Sequence, residues 1–88
     1  MNFGQYLKNA RMKLNMSQLD VAKVLKLGSA QSISDWERNY GSSVPLKTLR
    51  RLCSVYRLDE NEAFKHAFDF QKTKLEQKMR KEFFKKKK

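Results

Sequence analysis

The side chains best equipped for recognition chemistry in this 88-residue chain cluster between residues 17 and 38. Gln18 opens one short helical stretch. Gln31, Ser34, Asp35 and Arg38 share the polar side of a second, with Ser32 among them. Their chemistry is hydrogen bonding rather than bond cleavage. A glutamine amide sets a donor beside an acceptor, so Gln31 can bond adenine N6 and N7 together, worth about 1–3 kcal/mol of discrimination. Serine hydroxyls at 29, 32 and 34 serve phosphates or base edges. Asp35, an anion, has no use for a phosphate; it accepts from cytosine N4 or orients a neighbouring Arg or Gln.

Other chemistries lack their residues. No Ser/His/Asp, Cys/His or glycine-rich phosphate-loop pattern is present, so the chain reads as a non-enzyme. One Cys excludes an intrachain disulfide, and one His offers no zinc ligand set, so no metal or cofactor is expected. The N-terminus has no signal-like apolar region, and no apolar run nears the ~18 residues of a membrane span. These features predict a cytoplasmic protein with no membrane partner.

Charge points to a polyanion. The formal net charge is +11. Residues 71–88 hold nine Lys/Arg against two Glu, a net +7, and residues 1–70 hold eleven against seven acids, a net +4. A distribution of this kind suits nucleic acid.

The elements that must position these groups are helical throughout. Ser17 caps the first stretch, and Asp20 stands at the reciprocal position of a capping box. Val21, Ala22 and Leu25 follow at helical spacing. The stretch 26–29 (KLGS) breaks the pattern, with Gly28 expected to supply the positive φ of the turn. The second stretch spans residues 30–38, with Ser29 as its expected cap, Ile33 and Trp36 on its apolar face, and Asn39 as a left-handed ending. This pair, in a basic chain, has the form of a helix-turn-helix. Before it, Phe3, Tyr6, Leu7, Ala10 and Leu14 mark a first helix capped by Asn2. Arg11 adjoins that apolar stripe and needs a buried partner. After it, Pro45 suits the first turn of a fourth helix reaching residue 58, whose buried stripe is Leu46, Leu49, Leu52, Cys53 and Tyr56. A fifth helix starts at residue 59, with Phe64, Ala67 and Phe68 expected to pack on the other four. Farther along, Phe68, Leu75, Met79 and either Glu82 or Phe83 suggest a narrow apolar seam, so that the extension serves dimerisation through Leu75, Met79 and Phe83 or, alternatively, sends its lysines to flanking phosphates. The terminal lysine run, residues 85–88, is expected to be disordered.

Taken together, Arg11, Ser17, Gln18, Ala22, Ile33, Ser34, Trp36, Glu37, Arg38 and Pro45 resemble the Cro/phage-repressor (XRE-like) helix-turn-helix family over residues 3–59. The stretch ISDWERN is similar to that family's recognition-helix ending. The resemblance implies an all-α, five-helix repressor-like domain, here residues 1–70, followed by a long basic C-terminal helical extension and lysine tail, residues 71–88. It also implies a structural salt bridge between Arg11 and Glu37 and a phosphate-binding role for Gln18. Base-facing positions fall at Ala30, Gln31, Ser32 and Asp35. Ser17, Ser29, Ser34, Arg38, Asn39, Tyr40, Ser42, Ser43 and Lys47 are expected phosphate contacts. One departure stands out: the family usually has Gly at the position of Lys26, whereas Gly28 comes two residues later.

The expected partners are double-stranded DNA and a second copy of the chain. The expected function is a sequence-specific transcriptional regulator, a repressor, on an inverted-repeat operator. Two alternatives compete with it. One is the DNA-binding antitoxin of a toxin–antitoxin pair, whose tail would hold a toxin. The other is a lysine-driven nucleic-acid packaging protein.

Overall fold

In a computed structural model that describes residues 2–41 and 43–85, the chain forms five helices and, among the described residues, no strand. They are α1 (Phe3–Lys13), α2 (Gln18–Val24), α3 (Gln31–Glu37), α4 (Leu46–Tyr56) and α5 (Glu60–Phe83). Short polar side chains start three of them. Asn2 Oδ1 accepts from the Gln5 N–H at 2.8 Å, and Asp59 Oδ2 from the Glu62 N–H at 2.9 Å. At α2 the capping box is complete: Ser17 Oγ accepts from Asp20 N–H at 2.9 Å and Asp20 Oδ2 from Ser17 N–H at 2.8 Å. Those two bonds hold the exposed Asp20 carboxyl below the usual carboxylate range.

The first four helices all end the same way. A left-handed residue follows the last turn, and the next N–H reaches back five residues to a carbonyl. The donors and acceptors are Met16 to Arg11, Leu27 to Ala22, Tyr40 to Asp35 and Leu58 to Cys53, at 3.3, 2.8, 2.8 and 2.9 Å. None of the left-handed positions is glycine: they are Asn15, Lys26, Asn39 and Arg57. This corrects the turn expected between α2 and α3. Its positive φ, 60°, belongs to Lys26, the position where the resembling family carries Gly, and Gly28 is not in the left-handed region. Asparagine tolerates this conformation; lysine and arginine hold it at a cost.

Leu7, Ile33, Leu52 and Val21 form the centre of the core. Around them lie Phe3, Tyr6, Ala10, Ala22, Leu25, Val44, Leu49, Cys53, Tyr56 and Ala63. Cys53 is thus a small core residue, its thiol pushed up by burial. α1 crosses the end of α3 at Gly4, where a Cβ would stand 2.4 Å from the Glu37 carbonyl oxygen and 2.8 Å from that of Trp36. Only a residue without a side chain permits that approach.

Several boundaries and faces differ from expectation. Helix α3 begins at Gln31, with Ala30 at the cap position and no side-chain cap; Ser29 Oγ accepts only the Gln31 N–H, at 3.3 Å. Pro45 is the residue before α4 rather than in its first turn, and α4 stops at Tyr56 because Arg57 turns left-handed. Leu46, the first residue of α4, is exposed. So are Phe64 and Phe68; α5 instead packs through Ala63, His66, Ala67 and Phe70. Phe70 meets Phe3 with ring centroids 6.1 Å apart, and His66 stacks on Tyr6 at 4.0 Å. Alanines at 63 and 67 let α5 approach closely enough for the aromatic rings of α1 to fill the contact. Beyond Phe70 every described residue of α5 is exposed, and the molecule is 51 Å long against 27 and 21 Å in the other directions. Ser42 and residues 86–88, where a phosphate contact and the lysine tail were expected, lie outside the described residues.

Candidate nucleic-acid interface

The inner side of α3 is held by a polar cluster that the core surrounds. Arg11 Nε donates to Glu37 Oε2 at 2.6 Å and Nη2 to Oε1 at 3.0 Å, a bidentate pair. Arg11 Nη1 donates to the Met16 carbonyl at 2.8 Å. Gln18 Nε2 adds a bond to Glu37 Oε1 at 3.0 Å. One guanidinium therefore joins α1, the α1–α2 turn and the last residue of α3, and Gln18 ties in α2. Arg11 and Glu37 are each 9% exposed, and among the described residues no buried side-chain N or O atom lacks a partner. Hydrogen bonding to Glu37 raises the Arg11 pKa above its usual value although burial opposes it. Burial, then the Glu37 charge, pushes up the neighbouring Tyr56 hydroxyl. The buried partner that Arg11 requires is Glu37, and the pair fixes the rotation of α3 relative to α1.

A second network covers the outer side of α3. Gln31 Nε2 donates to Asp35 Oδ1 at 2.8 Å, and Arg38 Nη2 donates to the same oxygen at 2.9 Å. The carboxylate sits one helical turn from Gln31 and almost one turn from Arg38, so it holds both side chains along the helix. Gln31 keeps one amide N–H and its Oε1 free of this network, the two atoms an adenine edge requires. Arg38 also lies over the Tyr40 ring, 5.2 Å from its centroid.

The remaining expected site residues divide into two groups. Ser29, Tyr40 and Lys47 are exposed, and Ser32 and Ser34 are half-buried on α3. The other group has structural partners. Ser17 Oγ caps α2. Gln18 is half-buried with its amide on Glu37, so the amide expected to face a phosphate spends one N–H inside the fold. Ala30, at the cap position of α3, is half-buried and packs against the core. Asn39 Oδ1 accepts from the Gly4 N–H at 2.9 Å, which ties the end of α3 to the start of α1. Ser43 Oγ accepts from Gln71 Nε2 of α5. Sequence reasoning missed Gly4 altogether. Its signal was a glycine inside the first turn of a good helix, where nothing local requires one.

A polar, donor-rich face on a short helix, locked from behind and preceded by a tight turn from a second helix, is the geometry of a helix-turn-helix. A family model described as helix-turn-helix matches residues 7–62. The chain belongs to the helix-turn-helix family, of the XRE type. It is a DNA-binding transcriptional regulator. The match takes in Arg11, Gln18, Ala22 and Glu37 and ends at the first turn of α5, so the projecting half of that helix lies beyond it. No curated protein and no solved structure matches the chain. No helix among the described residues is long and apolar enough to cross a membrane, and no group of His, Cys, Asp and Glu among them is arranged to hold a metal ion.

Proposed function

We propose that this helix-turn-helix regulator is a sequence-specific repressor that binds an inverted-repeat operator as a homodimer, with α3 in the major groove. The observation that carries the reading is the Gln31–Asp35–Arg38 network on the outer face of a helix whose inner face is fixed by Arg11 and Glu37. Gln31 reads an adenine, oriented by Asp35, and Ser32 meets an adjacent base edge. Ser34, Arg38, Tyr40 and Lys47 hold the flanking phosphates, joined by Ser17, Ser29 and the remaining N–H of Gln18.

Dimerisation is assigned to an apolar stripe on the exposed side of α5. Phe64, Phe68, Leu75, Met79 and Phe83 are all more than half exposed and recur at intervals of four and seven residues over roughly 28 Å. Burying one such side chain fully is worth about 1.5–3 kcal/mol, so a second copy of the stripe supplies the stabilisation an isolated helix lacks. Selection of bound duplexes from a random pool tests the reading. It should enrich an inverted repeat whose half-sites lie about one helical turn, ~34 Å, or a multiple of it apart. Enrichment of no sequence would overturn it.

A further inference from the structure

The free half of α5 leaves the body at a defined place. α4 and α5 run in opposite directions: Leu49 and Cys53 share a groove with Glu60 and Phe64, and Gln71 is bonded to Ser43, just before α4 begins. Gln71 is therefore level with the α3–α4 loop, and α5 continues from there to Phe83, about 18 Å farther. This is the end of the molecule that carries Arg38, Tyr40 and Lys47. The helix thus projects beyond the α3–α4 loop, whose Tyr40 and Ser43 line one pocket with Phe70, at the C-terminal end of α3.

Part of its charge is arranged in a row on one side, while Lys72 and Arg80 lie on others. Lys74, Lys78 and Lys81 follow at intervals of four and three residues, and Lys85 continues the row just past the helix cap. The row is in line with Ala63, Ala67 and Phe70, the face that packs on the body, and Lys74 Nζ sits 5.4 Å from the centroid of the Phe70 ring. These lysines therefore look back toward the α3–α4 loop. None of them takes part in an ion pair among the described residues, and Glu76 is engaged by Arg80 at 3.1 Å. The apolar stripe assigned to dimerisation lies roughly 120° around the helix, so covering it leaves the lysines open. Like charges three and four residues apart destabilise a helix, and a helix surrounded by water is marginal already. A polyanion laid along the row removes that repulsion.

We propose that the free half of α5 is a second DNA-contacting element, its lysine row lying on the phosphate backbone beside the site that α3 reads. The inference rests on the groove-facing role of α3 stated above. Because a lysine row on phosphates carries no base readout, it adds affinity and salt dependence without changing the preferred sequence.

The test replaces Lys74, Lys78, Lys81 and Lys85 together by Gln, which preserves helix propensity. A control replaces Lys8, Lys13, Arg51 and Lys65 by Gln, removing the same charge from exposed positions off this row. Binding to a selected duplex and to a scrambled one is measured between 50 and 200 mM salt. The row variant should lose about 3–4 from the log–log salt slope, so that over this range it loses about 100-fold less affinity than the parent does. The ratio of selected to scrambled affinity should stay the same. The control should keep a slope within about one unit of the parent. Equal slopes for the two variants would overturn the proposal, since only net charge would then matter. An unchanged slope in the row variant would overturn it too, because the helix would then stand clear of DNA. If the parent itself fails to distinguish the two duplexes, the reading of α3 fails, yet the comparison of slopes still decides the lysine row.

Discussion

Replacing Arg11 by methionine removes a guanidinium that makes three hydrogen bonds in the interior, two to Glu37 and one to the Met16 carbonyl. Methionine fills much of the volume, so the loss is electrostatic rather than a cavity. Glu37 is left 9% exposed with a single donor, the half-buried amide of Gln18. Removing one partner of a buried ion pair costs about 3–5 kcal/mol. Across 88 residues a stability of ~0.05–0.15 kcal/mol per residue amounts to about 4–13 kcal/mol. The substitution therefore consumes a large share of it. For a domain of this size each kcal/mol moves Tm by about 4–8 °C, so urea and thermal unfolding both read the effect easily.

Arg11→Lys separates charge from geometry. One ammonium cannot reproduce the planar fork on both carboxylate oxygens while also reaching Met16, so it should recover only part of the loss. Arg11→Met combined with Glu37→Leu should lose less than Arg11→Met alone, because no carboxylate remains buried without its cation. A loss below about 1 kcal/mol for Arg11→Met, or strict additivity of the two substitutions, would refute the claim that this pair anchors α3.

Gly4→Ala gains helix propensity of about 1 kcal/mol but drives a Cβ into the carbonyl oxygens of Glu37 and Trp36; the clash should win, for a net loss of about 1–3 kcal/mol by urea unfolding, and unchanged stability would contradict the close approach. Lys26→Gly should stabilise by a few tenths to about 1 kcal/mol because the left-handed φ of 60° is freed of its Cβ penalty, whereas Gly28→Ala, with open space around it, should be neutral or slightly stabilising; the reverse order would move the turn back to Gly28. Burial and the nearby Glu62 push the Tyr6 hydroxyl up to about 12 from an ordinary value near 10. Below pH 10 the hydroxyl is protonated in both states; between 10 and 12 the unfolded chain ionises first, so stability falls across that window. Tyr6→Phe should lessen this alkaline loss relative to the parent, and an equal loss in both proteins would exclude Tyr6 as a cause.

The helices of the first two-thirds of the chain were legible because each carries one apolar stripe at helical spacing, with a polar cap before α1 and α2 and a proline before α4. Helix α5 was misread for the same reason. It carries two apolar stripes, and the larger residues, Phe64 and Phe68, belong to the exposed one, while alanines at 63 and 67 take the buried contact. Size is a poor guide where two helices approach closely. The α2–α3 turn was misassigned because glycine is the usual left-handed residue, and Lys26 adopts that conformation through two backbone bonds, Lys26 N–H to Lys23 and Leu27 N–H to Ala22, which local composition does not reveal. Gly4 and Asn39 were illegible as a pair: 35 residues separate them, and their bond exists only once α1 and α3 are packed. The outer face of α3 was the most readable part, since its spacing alone aligned Gln31, Asp35 and Arg38. The structure adds that one carboxylate oxygen holds the other two.

That outer face is where α3 would read DNA sequence. The direct measurement is the affinity of the parent and of Gln31→Ala for a selected operator and for every single-base variant of one half-site. Gln31→Ala should lose discrimination of about 1–3 kcal/mol at one position, an adenine, and leave the other positions as they were. A uniform drop across all variants, with every base preference intact, would show that Gln31 does not read sequence and that α3 meets DNA by another face.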